Sequence, residues 1–167
     1  MSDERSLIPN SELPLRVCFI AYNNRDEEFA RRLHSELKKR RYMTWFAPER
    51  PDMPRLSLED EQLIKNKIAE GIQSARIMLI AISDNSVASS WVAFETSAAI
   101  DGERRSKRPV IFGLQIAPIT IQVPWLSEIR ERYGIRDFLF WRNDSFLEEQ
   151  VDKLSSDMTV IFERMSM

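Results

Sequence analysis

Trp91 and Glu95 stand four residues apart near the start of a helical segment. That spacing projects both side chains from one helix face. A carboxylate beside an aromatic ring can steady a developing positive charge and screen it from water. The same residues also fit plainer roles, Trp91 as a core aromatic and Glu95 as a solvated helix acid. Other chemistries have little to work with. The chain holds one Cys and one His, too few for a four-ligand zinc site or an internal disulfide. This favours a reducing compartment. Cys18 sits mid-strand and is expected to be a small buried hydrophobe. His34, between Leu33 and Ser35 on a charged helix, is expected to be exposed. The glycines, Gly71, Gly102, Gly113 and Gly134, are isolated, so no glycine-rich phosphate loop exists. The formal net charge is −2, from 24 basic and 26 acidic residues, against nucleic-acid binding. The basic run Arg104-Arg105-Ser106-Lys107-Arg108 falls at a helix C-terminus, where the dipole favours it.

These residues must be held by a scaffold, and the apolar pattern defines one. The run from Arg16 to Ala21 predicts a buried strand. Phe29, Leu33 and Leu37 form one stripe of a helix from Arg25 to Arg41, with Asp26 and Glu27 as helix-start acids. Tyr42 to Phe46 predicts a second strand. Three prolines between Ala47 and Pro54 predict a long loop. A helix from Leu58 to Ser74 follows, then a central strand from Arg76 to Ile82. Ser83 to Ser86 has helix-cap chemistry. A third helix spans Ala88 to Glu103, and a fourth strand Pro109 to Leu114. Residues 115–135 look irregular, with a turn of helix near Leu126 to Arg132. A fifth strand is expected from Asp137 to Trp141. A last helix begins at a capping box, Ser145 with Glu148. It carries Leu147, Val151, Leu154, Met158, Ile161 and Met165 at helical spacing.

Strands alternating with helices, the strands near-continuously apolar, predict an α/β fold. The expected architecture is a flavodoxin-like five-stranded parallel sheet, order 2-1-3-4-5, with helices on both faces. Ligands then bind outside the carboxyl ends of the strands. Residues 1–14 are expected to be a flexible tail and 15–167 a single domain. The longest clean apolar run, Ile77 to Ile82, has about six residues, short of the roughly 20 a membrane span needs. The N-terminus lacks signal-peptide organisation. A cytoplasmic location is expected.

Three segments at the ligand edge resemble the TIR (Toll/interleukin-1 receptor) domain family, bacterial type. Phe19-Ile20-Ala21-Tyr22, followed by an acidic helix start, resembles the family's first box, with Ala21 where Ser is usual. Ile82 to Glu95 resembles the stretch ending in W-x-x-x-E. Phe140-Trp141 is similar to the F-W box near the last strand and is expected to pack in the core. The loop after the second strand, Pro48 to Ser57, lacks the family's Pro-Gly.

The resemblance implies an NAD⁺ nucleosidase that cleaves the nicotinamide–ribose bond, with Glu95 as the catalytic carboxylate. Trp91, Tyr22, Arg25 and Ser83 become its substrate-binding residues. NAD⁺ is then substrate, and neither cofactor nor metal is expected. A glycosidase needs two carboxylates because its leaving alkoxide needs a proton. Nicotinamide leaves as a neutral pyridine, so one carboxylate can suffice. The product would be a signal, such as cyclic ADP-ribose, or the effect NAD⁺ depletion, in bacterial anti-phage defence. Partners implied are further TIR domains, through Met53 and Leu56 of the 48–57 loop, and a separate sensor or effector. The alternative is a non-catalytic TIR module acting by homotypic assembly. A receiver domain shares the fold but needs a phospho-acceptor Asp ending the third strand, where Ile82-Ser83 stand.

Overall fold

The computed structural model describes residues 17–46 and 58–166. The expected tail at 1–14, the proline-rich loop, Met53 and Leu56 lie outside these described residues. Five strands form one parallel sheet in the order β2-β1-β3-β4-β5. They are β1 (Val17–Ala21), β2 (Met43–Phe46), β3 (Ile77–Ile82), β4 (Val110–Gln115) and β5 (Ile135–Asp137). The helices are α1 (Glu27–Lys39), α2 (Leu58–Ser74), the one-turn α3 (Asp84–Val87), α4 (Ser90–Ser106), α5 (Pro124–Arg132) and α6 (Asp144–Ser166). This is the flavodoxin-type α/β sheet that the alternating pattern predicts.

Strand side chains alternate between two faces, and β1 shows the consequence. Cys18 and Ile20 join a core layer with Phe29, Leu33 and Leu37 of α1 and Leu147, Val151, Leu154, Met158 and Phe162 of α6. Phe19 and Ala21 point the other way, into a layer with Ile68 and Ile72 of α2, Val92 and Ala99 of α4, and Trp125, Leu126 and Ile129 of α5. β3 is buried along its whole length, which explains why its sequence shows no alternation.

The fifth strand departs from the sequence reading. It is Ile135–Asp137, not Asp137–Trp141. The Asp137 carboxylate accepts the Leu139 amide at 2.9 Å, an Asx turn that diverts the chain. Phe138 N donates to Gln115 O at 2.9 Å, and the chain then turns, with Trp141 N to Phe138 O at 3.2 Å. Phe138 and Trp141 pack edge-on against Phe29 at centroid separations of 6.0 and 5.4 Å. Phe140, between them, is 67% exposed, so only the Trp of the F-W pair is a core residue. The last helix starts earlier than expected. Its first turn is capped by Asn143, whose side-chain oxygen accepts the Phe146 amide at 2.9 Å; Ser145 is not the cap. α5 is a full nine-residue helix with Pro at its first position, where a missing N–H costs nothing. His34 is half-buried rather than exposed. Its Nδ1 meets the Thr44 hydroxyl of β2, and burial, then Lys38, lowers its pKa.

Gly71 of α2 is required by close approach. A Cβ there would lie 2.7 and 2.8 Å from Trp45 ring atoms, and Trp45 itself packs on Phe19 at 4.9 Å. Gly→Ala in a helix ordinarily gains about 1 kcal/mol. Here Gly71→Ala should instead cost about 1–3 kcal/mol through overpacking. Denaturant titration of Gly71→Ala, Trp45→Leu and the double variant checks this. Once the indole is gone, the alanine should regain its favourable sign.

Candidate functional site

β1 and β3 are neighbours in the sheet, and their connections leave in opposite lateral directions, to β2 and to β4. This is the switch point at which such sheets bind ligands. Two loops meet there. After β1, Asn23 caps a 3-10 turn (Asn24–Asp26) by accepting the Arg25 amide at 3.0 Å. After β3, Ser83 caps α3: its hydroxyl accepts Ser86 N at 3.2 Å, while Ser86 Oγ accepts Ser83 N at 2.9 Å. Asp26 ties the loops together. Its carboxylate accepts the Ser83 hydroxyl at 2.5 Å and the Asn85 side-chain amide at 3.0 Å.

α4 begins immediately beyond, capped by Ser89, whose hydroxyl accepts Val92 N at 3.2 Å. It packs against β1, β4, α2 and α5. Glu95 lies on its inward side and is 0% exposed, which excludes a solvated helix acid. Trp91, one turn earlier, is half-buried at the margin of the core layer. Lys65 of α2 reaches across it, with Nζ 5.9 Å from the Trp91 ring centroid and 5.5 Å from that of Phe94. The aromatic margin therefore carries a cation that sequence reading does not single out.

The other expected substrate-binding residues are placed differently. Ser83 is 2% exposed, and its hydroxyl donates to Asp26 and accepts from Ser86 N, so it helps to build the loop. Tyr22 packs against the α1–α6 core layer, on the sheet face opposite Trp91 and Glu95. Alternation along β1 carries it there: Ala21 faces α4, and the next residue faces away. Arg25 is exposed and lines an edge cleft of about 560 Å³ with Asn24, Asp84, Asn85, Ser89 and Ile121. The structure thus sets Trp91 and Glu95 one turn apart on α4, places Arg25 at the neighbouring cleft, ties Ser83 into the loop framework and rests Tyr22 against the opposite core layer. Burial pushes the Cys18 thiol far up, away from nucleophilic chemistry. Among the described residues no three His, Cys, Asp or Glu side chains gather as metal ligands. No described helix is long and apolar enough to cross a membrane.

The fold and this edge define a flavodoxin-like α/β domain with one buried carboxylate beside a half-buried tryptophan. The family model for the TIR domain matches residues 18–154, and the chain belongs to the TIR-domain family. Among solved structures it is similar to the RPS4 and RRS1 TIR domain heterodimer, at 15% identity and a TM-score of 0.58, covering 85% of this chain and 96% of that one. It is similar also to the TIR domains of the activated Roq1 resistosome, at 15% identity and a TM-score of 0.46, covering 89% and 84%. A 2-deoxyribosyltransferase from Bacillus psychrosaccharolyticus matches at 16% identity and a TM-score of 0.48, covering 70% and 91%. No curated protein sequence matches the chain.

Asp84 fastens the far wall of the edge cleft. Its carboxylate accepts the Thr120 hydroxyl at 2.6 Å, the Thr120 amide at 2.8 Å and the Ile121 amide at 3.3 Å. These bonds, the Thr120 hydroxyl foremost, hold its pKa below the usual carboxylate value. A depressed folded pKa contributes stability above the unfolded value of about 3.9, lost as pH falls through the folded value. Asp84→Asn should therefore lower the unfolding midpoint near neutral pH, and the gap from wild type should narrow in acid. Melting both proteins between neutral pH and the acid range below the unfolded value checks the sign.

Proposed function

We propose that this TIR domain cleaves the nicotinamide–ribose bond of NAD⁺, with Glu95 as the catalytic carboxylate and Trp91 as the aromatic wall. The supporting observation is the buried position of Glu95, one turn from half-buried Trp91 on a helix that packs over β1. A carboxylate withdrawn from water interacts more strongly with charge than a solvated one. When the Trp91 margin opens to admit substrate, it can accept hydrogen bonds from the ribose hydroxyls and steady positive charge on the anomeric carbon as the C–N bond lengthens. Nicotinamide departs with the bonding electrons as a neutral pyridine, so no general acid is needed. Water or a ribose hydroxyl then attacks the anomeric carbon and loses its proton, to give linear or cyclic product. Trp91 supplies a face on which nicotinamide can stack, and Arg25 a cation for the pyrophosphate at the neighbouring cleft.

In this reading, TIR–TIR contacts through Met53 and Leu56 complete the active assembly, and a separate sensor or effector couples it to bacterial anti-phage defence.

Incubation of concentrated protein with NAD⁺, with products identified by mass spectrometry, tests the proposal. Glu95→Gln should lose on the order of 10²-fold or more in cleavage rate while melting close to wild type. Cleavage by the Gln variant at the wild-type rate would refute the assignment.

Trp91→Ala should also cut cleavage strongly. Because the ring is only half-buried, its cost in stability should fall below the about 3–5 kcal/mol of a fully buried aromatic. Rate and melting temperature measured on one preparation separate the two effects.

A further inference from the structure

Glu95 uses only one side of α4. On the adjoining flank, turned toward α2 and α5, Phe94, Ser97 and Ala98 form the floor of a groove of about 610 Å³, flanked by Gln73 of α2 and by Trp125 and Glu128 of α5. This volume lies within the roughly 300–1,000 Å³ range of small-molecule sites. Trp125 is 8% exposed, and its indole N–H has no hydrogen-bond partner among the described residues. Buried indole donors normally find an acceptor. The groove runs on into a second cleft of about 410 Å³ that shares Gln73 and Arg105 and adds Glu70, Ser74 and Arg108. Arg105 pairs with Asp101 at 3.1 Å, and Arg104 with Glu128. Arg108 is exposed and makes no ion pair among the described residues.

We propose that this groove is a ligand site separate from the Glu95 edge, for a small planar heteroaromatic molecule bearing a hydrogen-bond acceptor and one anionic group, of the nucleoside monophosphate class. The aromatic end, between Phe94 and Trp125, takes the ring. A small tilt of the indole lets its N–H meet a carbonyl or ring nitrogen. The anionic group lies toward Arg108, along a cleft with two hydroxyls, Ser74 and Ser106, on its walls. From Phe94 on the floor to Arg105 is about 11 residues of helix, or about 16 Å, long enough for a base, a ribose and one phosphate.

Isothermal titration with AMP, UMP and adenosine, paired with ¹H–¹⁵N spectra of the indole region, tests this without reference to any catalysis. Expected is saturable binding of a monophosphate, several-fold tighter than adenosine because of one added charge contact. The Trp125 indole resonance, assigned by its disappearance in Trp125→Phe, should move downfield on titration. Trp125→Phe should weaken binding about five- to tenfold, the loss of one neutral hydrogen bond. Ser97→Phe, which fills the groove from an exposed position, should abolish the movement with an unchanged circular dichroism spectrum. Arg108→Ala, on the rim, should erase the advantage of AMP over adenosine and does not depend on packing. Glu95→Gln should leave binding intact, which separates this site from the catalytic one. No saturable binding of any probe by about 5 mM, or undiminished binding in both Ser97→Phe and Arg108→Ala, overturns the proposal. So does a concentration-dependent dimer that Ser97→Phe abolishes, since a second copy of the chain would then be the occupant.

Discussion

The Asp26 carboxylate is the joint on which the ligand edge depends. Asp26 occupies the residue before α1, where an Asp side chain usually caps the helix, yet it makes no such bond. It reaches across the switch point to Ser83 and Asn85 instead. A lost cap costs about 1 kcal/mol; the two hydrogen bonds across the loops offset it. Ser83 is thereby fixed at both ends of its hydroxyl, α3 starts at a set angle, and Ser89 follows at the head of α4. The placing of Trp91 and Glu95 descends from one carboxylate more than 60 residues earlier in the chain.

Much of this scaffold is legible in the sequence because its signals are periodic. Buried parallel strands appear as unbroken apolar runs, and α1 and α6 carry stripes at helical spacing. The sheet order follows from the alternation of elements. The fifth strand escapes such reading because Asp137-Phe138-Leu139-Phe140-Trp141 has strand composition, whereas the Asx turn at Asp137 decides its geometry. Two of its aromatics are buried as turn residues beneath α1. Short apolar runs carry no information on such diversions. Phe162 is a buried member of α6, yet the stripe read from sequence passes through Ile161, since adjacent apolar residues leave the phase of a helix open.

Site residues are legible to the degree that they share an element. Trp91 and Glu95 lie one turn apart, so their common face follows from helix geometry. Tyr22 belongs to a strand end, where a shift of one residue exchanges sheet faces; nearness to the ligand edge does not decide which face it serves. Ser83 carries cap chemistry, as its sequence context indicates, and the same hydroxyl also donates to Asp26 across the loops. The bonds of Asp84 to Thr120 and Ile121 join residues 36 and 37 positions apart, and the reach of Lys65 over Trp91 spans 26. No local pattern announces contacts of that range.

The all-parallel sheet also governs how the chain must assemble. No ladder here closes by a hairpin; each waits on a crossover that carries a helix. β3, buried on both sides, pairs with β1 across the α2 crossover and with β4 only after α4 has been traversed. Until then one edge of its six residues, IMLIAI, stays open, an uncharged, β-prone segment of the type that pairs with copies of itself. During synthesis the interval between the emergence of Ile77 and that of Gln115 is the period of greatest exposure to misassembly. The polar residues that immediately follow, Ser83, Asp84, Asn85 and Ser86, bound that segment, and their early closure into α3 would shorten the time for which its carboxyl end stays open.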